Sequence, residues 1–442
     1  MVNYFPLDNM DDNMYIKTVY LTNFRNYRNI KLDLGHKTTI IIGRNGTGKT
    51  NMISAIKQSL SFIFSKKKNT PQFDFVASSD QKVKSFQSTD PHYVDGDYKY
   101  PIAIGIDMKL YDDEKLLSWE LRKTTADRGI NESYVGACVR FWNKVFNTER
   151  IPVFAFFSDS YPHILSTMGK NMQDKIDSGN PLPHNTAYYK WDDERNCTEL
   201  WKQYYVMNWK NTKYGNDKGQ KEYCDAVEKA MVDFSEPISG NLNNMDFAID
   251  GLDVEARGKE DVLVLKFRNG KRMPFDMLPQ GYRRILSIVF DIAHRGYLIQ
   301  KNCNPYGIVF IDEVELHLHP SLAQEVVQRL RRSFSNVQLL ISTHSPLVIA
   351  DYKQDEENVL YSISATEDGP EYIRVSNMYG MDYISVLHSV METPERDSYL
   401  QNLSGAYRYW KQMGDKKRMK QLELTIKGLV GENSEFFKSL MK

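Results

Sequence analysis

The sequence predicts an α/β protein in which helices flank a mixed sheet, with a compact α+β insertion and a helical carboxyl-terminal appendage. Short apolar segments at residues 38–42, 308–311 and 337–342 each stop at polar residues, as strands buried on both faces do. Helical periodicity follows the first segment from residue 49 and the second from residue 320. Alternating segments between these elements predict antiparallel strands, and they form the basis for the insertion.

Composition narrows the class of protein. The 442 residues contain 57 Lys+Arg and 57 Asp+Glu, so a chain that coats nucleic acid through bulk charge is not expected. No apolar run approaches the roughly 20 residues of a membrane helix, and the amino terminus lacks a secretory signal pattern. Four widely spaced cysteines fit neither a zinc ribbon nor a disulfide framework. We therefore expect a cytoplasmic protein without a membrane partner.

The order of the segments predicts four regions. Residues 1–65 form an amino-terminal lobe, and residues 66–270 form the insertion with antiparallel strands and helices. Residues 271–355 form a carboxyl-terminal lobe of the same core, and residues 356–442 form a helical region for partner docking. The insertion shows no sustained heptads, so a long coiled-coil arm is not expected.

A phosphate-binding pattern follows the first apolar segment. It has the form G-x-x-x-x-G-K-[ST], and we call it the phosphate loop; it comprises Gly43, Arg44, Asn45, Gly46, Thr47, Gly48, Lys49 and Thr50. Glycines let the backbone wrap so that its N–H groups face phosphate oxygens, Lys49 reaches the β- and γ-phosphates, and Thr50 ligates Mg²⁺. The alternative is a glycine turn that merely caps a helix. The strand before and the helix after favour the phosphate site.

Two carboxylates end the second apolar segment. Asp312 is placed to support Mg²⁺ and Glu313 to polarise the attacking water as general base. An acidic pair after a strand is common in α/β proteins, so the assignment depends on the phosphate loop.

Two further positions complete the predicted site. His344, in the run Ser-Thr-His-Ser-Pro after the third apolar segment, is predicted to contact the γ-phosphate, although a bystander histidine beside a helix cap is the ordinary alternative. Gly281 opens a helix whose amino end is able to bind an anion, which we expect to be the γ-phosphate of a facing subunit.

These four elements, in this order, resemble an ABC-type P-loop ATPase head of the SMC and RecF class. The runs at residues 278–284, 308–320 and 338–346 are more similar to a family of bacterial defence-island ATPases that includes PtuA, the ATPase of Septu systems and of some retrons. The opening residues 21–27 also resemble RecF.

The resemblance implies an ATPase that uses ATP and Mg²⁺ and works as a homodimer or a multiple of dimers. Each site is then completed in trans by the Gly281 motif. It also implies that Asn51 belongs to the nucleotide site and that Arg25 approaches the nucleotide. A separate nuclease, often of the HNH type, is the implied partner in antiviral defence, and nucleic acid, either DNA or the msDNA of a retron, is a second one.

One departure from the family matters. Pro279 stands where related heads carry a serine whose hydroxyl contacts the γ-phosphate across the dimer. Losing a hydrogen bond to a charged group costs about 1.5–3 kcal/mol, roughly tenfold to a hundredfold, so we expect slow hydrolysis. Two alternatives stay open: a RecF-like DNA-repair ATPase that binds DNA, and a nucleotide-gated scaffold with little turnover.

Other patterns in the sequence allow more than one interpretation. The alternation at residues 315–319 suits either a metal clip or interface packing, and packing is favoured. Basic runs at residues 66–68 and 416–420 are candidate contacts for nucleic acid or a partner protein.

Overall fold

The computed structural model describes residues 13–65, 75, 81, 83–160, 170–194, 197–215, 218–238, 247–258, 260–350, 352–366, 369–376, 385–386, 398–432 and 434–441. The basic run at residues 66–68 lies outside them. The chain forms two compact units, Met1–Met381 and Asp382–Lys442. In the described part of the chain, no helix combines the length and the apolar character needed to cross a membrane.

The strands are β1 (Tyr15–Phe24), β2 (Tyr27–Asp33), β3 (Thr38–Gly43), β4 (Tyr93–Val94), β5 (Asp97–Tyr98), β6 (Ile102–Lys109), β7 (Leu117–Lys123), β8 (Val153–Phe157), β9 (Ile249–Arg257), β10 (Glu260–Phe267), β11 (Arg272–Pro274), β12 (Gly307–Ile311), β13 (Val337–Thr343), β14 (Asn358–Thr366) and β15 (Gly369–Val375).

The helices are α1 (Lys49–Ser61), α2 (Tyr134–Asn147), α3 (Lys170–Asp177), α4 (Thr198–Gly215), α5 (Lys218–Ser235), α6 (Gln280–Gln300), α7 (Pro320–Ser333), α8 (Pro346–Ala350), α9 (Ser398–Met413), α10 (Lys416–Val430) and α11 (Glu435–Met441). Single 3₁₀ turns lie at Phe62–Phe64, His184–Tyr188 and Phe275–Met277.

The central sheet has six strands in the order β15-β14-β3-β13-β12-β8. Strands β8, β12, β13, β3 and β14 are parallel, and β15 pairs antiparallel to β14. Every residue of β3, β8, β12 and β13 is buried, as expected of parallel strands covered on both faces. The carboxyl ends of β3, β13 and β12 are neighbours, so the polar residues that follow these strands meet at one edge of the sheet.

A second, antiparallel sheet has the order β2-β1-β6-β7. Helix α1 contacts both sheets, and Trp119 of β7 donates its indole N–H to Ser59 of this helix over 2.9 Å. Buried Gln338 joins the two sheets, because it accepts from the Ile16 N–H and donates to the carbonyls of Ile16 and Gly35. The helix that carries the phosphate-loop lysine is thus enclosed on two sides.

The structure does not follow the predicted boundaries of the insertion at residues 66 and 270. Strands β6 and β7 pair with the amino-terminal β1, and β8 joins the edge of the central sheet. Long-range strand pairing, which local periodicity does not report, therefore draws part of the predicted insertion into the core. Helices α3–α5 and the three-stranded sheet β11-β10-β9 lie outside these two sheets.

The boundary predicted at residue 356 is also corrected. Residues 358–375 form the hairpin β14–β15, and β14 pairs with β3 beside the phosphate loop. The second unit begins only at Asp382. By itself, this unit contains α9, α10 and α11 around a small core of Tyr407, Ile426, Phe437 and Leu440.

Candidate active site

The phosphate loop leaves β3 at Gly43 and enters α1 at Lys49. Gly46 and Gly48 have φ values of +80° and +113°, a region that glycine occupies without steric cost. A Cβ on Gly48 would lie 2.4 Å from the Asn26 Nδ2 atom, so the site also lacks room for a side chain. Arg44, Asn45 and Gly46 are exposed at the tip of the loop. This wrapped, accessible backbone is the shape predicted from the motif.

Side chains from the β1–β2 turn brace the loop. Asn26 donates to the Thr47 carbonyl over 3.1 Å, and Tyr27 donates its hydroxyl to the Gly48 carbonyl over 2.9 Å. The Thr47 hydroxyl donates within the loop to the Arg44 carbonyl at 2.9 Å. These bonds hold the loop through its main-chain carbonyl oxygens.

Arg25 and Asn51 belong to the same brace. Arg25 donates from Nη1 to the Asn51 side-chain oxygen at 2.9 Å and from Nε to Asp90 at 3.1 Å. Asn51 donates in turn to the Asn26 side-chain oxygen at 2.8 Å. The structure therefore places both predicted residues beside the loop, with the guanidinium already engaged by protein groups.

Lys49 lies at the centre of the site. Its ammonium donates to the carbonyls of Gly43 and Arg44, each at 2.8 Å, and lies 3.2 Å from Nδ1 of His344. Burial lowers the pKa of Lys49 to about 8, and the nearby carboxylates of Asp312 and Glu313 oppose this shift. A lysine ammonium has three hydrogen-bond donors and no acceptor, so a buried one is suited to bind an anion.

Asp312 is fixed between two hydroxyl groups. Thr50 donates to its Oδ2 atom over 2.8 Å, and Ser342 donates to its Oδ1 atom. These contacts join the first turn of α1, the end of β12 and the end of β13. The structure therefore brings the two predicted magnesium ligands, Thr50 and Asp312, into direct contact although 262 residues separate them.

Glu313 and His344 form a close pair. The Glu313 Oε1 atom lies 3.0 Å from Nε2 of His344, and the two side chains are 28% and 25% exposed. Because the Lys49 ammonium only donates, Nδ1 of His344 accepts, and the proton of the neutral ring belongs on Nε2, where it is donated to Glu313. Glu313 has a φ of +50°, which turns its side chain away from the course of β12.

Three residues that the sequence analysis did not assign to the site contact it. Buried Arg284 donates to the Asp312 carbonyl at 2.8 Å and to those of Val314 and Ser158 at 3.3 Å. Burial lowers its pKa to about 10. Ser342 binds Asp312, and Glu315 accepts from the His344 main-chain N–H at 2.6 Å. In the sequence, each of these is a charged or polar residue beside an apolar run, and that pattern is too common to predict a site.

Gly281 lies against its own chain. It is buried in the first turn of α6, and a Cβ there would lie 2.0 Å from the His317 carbonyl oxygen. Only glycine permits this contact between α6 and the segment 312–319, which we call the acidic loop. Pro279 is the N-cap of α6 and provides no side-chain hydrogen bond.

The metal-clip alternative for residues 315–319 finds no support. His319 is the N-cap of α7, where its ring accepts from the Ser321 N–H, and Glu315 binds His344. Within the described ranges, no group of three or more His, Cys, Asp or Glu side chains is placed to hold a metal ion. A magnesium site that uses phosphate oxygens needs only one or two protein ligands, so Thr50 and Asp312 are unaffected by this finding.

The chain matches the RecF/RecN/SMC N-terminal domain over residues 15–369, and it belongs to this family of ATPases. This membership confirms the predicted ABC-type head with its mixed sheet flanked by helices. The SMC head domain from Thermotoga maritima is similar at a TM-score of 0.42 and 12% identity, covering 82% of this chain and 99% of that one.

Relatives from defence systems match parts or most of the chain. It is 23% identical to the retron Ec83 probable ATPase of Escherichia coli over 435 residues, which cover 86% of this chain and 77% of that protein. It is 36% identical to the retron Vc95 probable ATPase of Vibrio cholerae over 116 residues, 25% of this chain and 22% of that protein. The Septu protein PtuA of Bacillus mycoides is 30% identical over 129 residues, 27% of this chain and 18% of its own length. These matches confirm the predicted resemblance to defence-island ATPases.

Proposed function

We propose that this chain is an ATP-hydrolysing, SMC-like ATPase that dimerises around ATP and regulates a partner nuclease in antiviral defence. One observation carries the catalytic part. Lys49, Thr50, Asp312, Glu313 and His344 come from three separate segments and converge at the carboxyl edge of β3, β13 and β12. This is the edge of a parallel sheet where ligands bind in open α/β folds.

The residues present fit MgATP. The wrapped glycine backbone and Lys49 suit a polyphosphate, while the hydroxyl and carboxylate oxygens of Thr50 and Asp312 are the hard ligands that Mg²⁺ prefers. Mg²⁺, when bound, supplies charge neutralisation to the phosphate oxygens. Lys49 exchanges its bonds to the Gly43 and Arg44 carbonyls for phosphate oxygens, without moving to another part of the chain.

Glu313 and His344 divide the remaining tasks. Glu313 accepts the proton of the attacking water, because it is a partly exposed carboxylate whose ion pair, among the described residues, is with the ring of His344. His344 keeps that carboxylate oriented through Nε2 and presents Nδ1 toward the position of Lys49. The ring thereby links phosphate binding to the orientation of the base.

The test is ATP turnover of the purified chain beside Glu313→Gln, with the molecular mass recorded with and without ATP. We expect turnover to fall by about 10²–10⁴-fold while an ATP-bound dimer accumulates. Glu149→Gln is a matched control, since Glu149 is an exposed glutamate that also has a positive φ, +54°. Full turnover in Glu313→Gln would show that the base lies elsewhere.

The partner assignment draws on the relatives, whose names place them in retrons and Septu systems. We expect the tagged chain, purified from cells that express its native locus, to carry an HNH-type nuclease whose cutting of plasmid DNA changes when ATP is added. Lys49→Met should abolish the response to ATP but not the association. Absence of any co-purifying nuclease activity contradicts this part of the proposal alone.

A nucleotide-gated scaffold with little turnover is the second candidate, and Pro279 favours it. A proline at the N-cap of α6 offers no hydroxyl toward a facing subunit. If the chain is such a scaffold, ATP changes the mass of its assembly although the rate of hydrolysis is close to background. Pro279→Ser should then raise turnover by about tenfold to a hundredfold, since it adds a hydrogen bond to a charged group. If Pro279→Ser leaves the rate unchanged, the proline is not what limits turnover.

A further inference from the structure

Glu315 makes a contact that no part of the proposed chemistry uses. Its Oε1 atom accepts a hydrogen bond from the His344 main-chain N–H at 2.6 Å. Its Oε2 atom is buried and has no hydrogen-bond partner in the described part of the chain. Placing a carboxylate in this partly desolvated position costs free energy, which its bond to the His344 N–H and the nearby cations Lys49 and Arg284 offset.

The backbone that carries Glu315 is held from two sides. Toward β13, the N–H of Glu313 donates to the Ser342 hydroxyl at 2.9 Å and that of Val314 donates to the Ser342 carbonyl at 3.2 Å. Toward α6, Arg284 binds the Val314 carbonyl, and Gly281 packs on the acidic loop. The carboxylate of Glu315 is thus presented from a fixed frame.

His344 needs such a partner. The last pair between β13 and β3 is Thr343 with Ile42, so the N–H of His344 lies beyond the ladder. Among the hydrogen bonds and ion pairs of the described residues, the ring engages Lys49 through Nδ1 and Glu313 through Nε2. In the proposed reaction Lys49 turns to phosphate oxygens and Glu313 also engages the attacking water, so the position of the ring depends more on its backbone.

We propose that Glu315 is a positioning residue for His344. By accepting the main-chain N–H, it keeps the imidazole between Lys49 and Glu313 when those two side chains engage substrate. The inference rests on the proposed function and adds a residue to the site that acts through His344, without touching substrate itself.

The experiment compares ATP hydrolysis and nucleotide binding in Glu315→Ala, Glu315→Gln, His344→Ala and the double variant Glu315→Ala/His344→Ala. We expect Glu315→Ala to lower kcat by about tenfold to a hundredfold, while the Kd for ATP changes less than about threefold. Glu315→Gln should recover most of the rate, because its amide oxygen accepts the same N–H. In the His344→Ala background, removing Glu315 should cost nothing further. Glu114→Ala, at an exposed glutamate of the β6–β7 turn, is the control.

Three results would overturn the inference. An additive loss in the double variant means that Glu315 acts without His344. An equal loss in Glu315→Gln and Glu315→Ala means that the charge, and not the acceptor, matters. A weaker Kd with unchanged kcat means that the residue supports binding only.

If the wild type does not hydrolyse ATP, that result contradicts the proposed function but not the role of Glu315. The role of Glu315 is then tested by ¹⁵N NMR of the His344 ring. Wild type and Glu315→Gln should then give one Nε2-protonated ring, and Glu315→Ala a changed tautomer population. An unchanged His344 spectrum in Glu315→Ala contradicts the inference in that case as well.

Discussion

The phosphate loop and the acidic loop lie at the same edge of the sheet but are shaped by different means. In the phosphate loop, two glycines with positive φ set the path, and neighbours from one turn, Asn26 and Tyr27, hold it. In the acidic loop, the positive φ values fall on Glu313 and His317, where glycine is absent. Contacts from α6 and β13 hold that path instead. The proposed nucleotide-binding half therefore depends mainly on its own glycines, and the proposed catalytic half depends on contacts between distant elements.

The largest effect is expected on ATP binding, and it distinguishes the phosphate loop from the acidic loop. Lys49→Met removes the central cation of the phosphate loop and should weaken ATP binding by about a hundredfold or more, since charge-assisted bonds to phosphate are lost. Glu313→Gln should leave the Kd for ATP within about threefold while turnover falls. Equilibrium binding of a fluorescent ATP analogue and steady-state hydrolysis measure the two effects. If both variants lose ATP binding equally, the phosphate loop and the acidic loop do not have separate roles in binding and hydrolysis.

Arg284→Met tests whether the acidic loop depends on a buried cation. The substitution leaves the carbonyls of Asp312, Val314 and Ser158 without their donor, so the free energy of unfolding should fall by about 2–5 kcal/mol. Chemical denaturation of the full chain measures it, and Arg283→Met, at the half-buried residue one position earlier in α6, is the control. Equal stability of the two variants would mean that Arg284 does not hold this loop.

Gly281→Ala sharpens the contrast between the two loops. Its new Cβ meets a backbone carbonyl, whereas the nearest atom to a Cβ on Gly48 belongs to the movable side chain of Asn26. We expect Gly281→Ala to displace the acidic loop, lower turnover and cost about 1–3 kcal/mol of stability. Gly48→Ala should mainly weaken nucleotide binding, because Gly48 has a φ of +113° within the phosphate loop. Equal effects of the two substitutions on nucleotide binding would contradict this division.

The smallest effect concerns pH and lies away from both loops. Burial, with Arg295 nearby, holds the pKa of His294 well below its usual range. Its ring stacks on Trp201 and contacts the edge of Tyr204, and its Nδ1 atom is hydrogen-bonded to the Tyr223 hydroxyl. The salt-bridged pair Asp291 and Arg295 lies on the same helix.

Because the unfolded chain takes up this proton below about pH 6.5 and the folded chain does not, stability should fall on acidification. The slope from this group is about 1.4 kcal/mol per pH unit. His294→Phe, which keeps the stacking, should flatten the unfolding free energy between pH 7 and 5. A slope as steep in His294→Phe as in wild type would assign it to other groups.

Much of the fold was predictable because its signals are local. Residues 308–311 are apolar throughout and residues 38–42 and 337–342 are mostly apolar, as parallel strands buried on both faces tend to be. The hairpin at residues 358–375 was not placed in the sheet, because its membership depends on pairing with β3, more than 300 residues earlier. The same reason explains why β6, β7 and β8 were assigned to the insertion.

The sequence by itself determined the phosphate loop, the carboxylates at residues 312–313 and the histidine at 344, since each depends on a short run in a required backbone shape. Tertiary structure alone decided that Arg284 and Glu315 belong to the site and that Gly281 faces His317. The physical reason is distance along the chain. Arg284 and Asp312 are 28 residues apart, and Glu315 and His344 are 29 apart, so their hydrogen bonds exist only after the sheet and α6 have assembled.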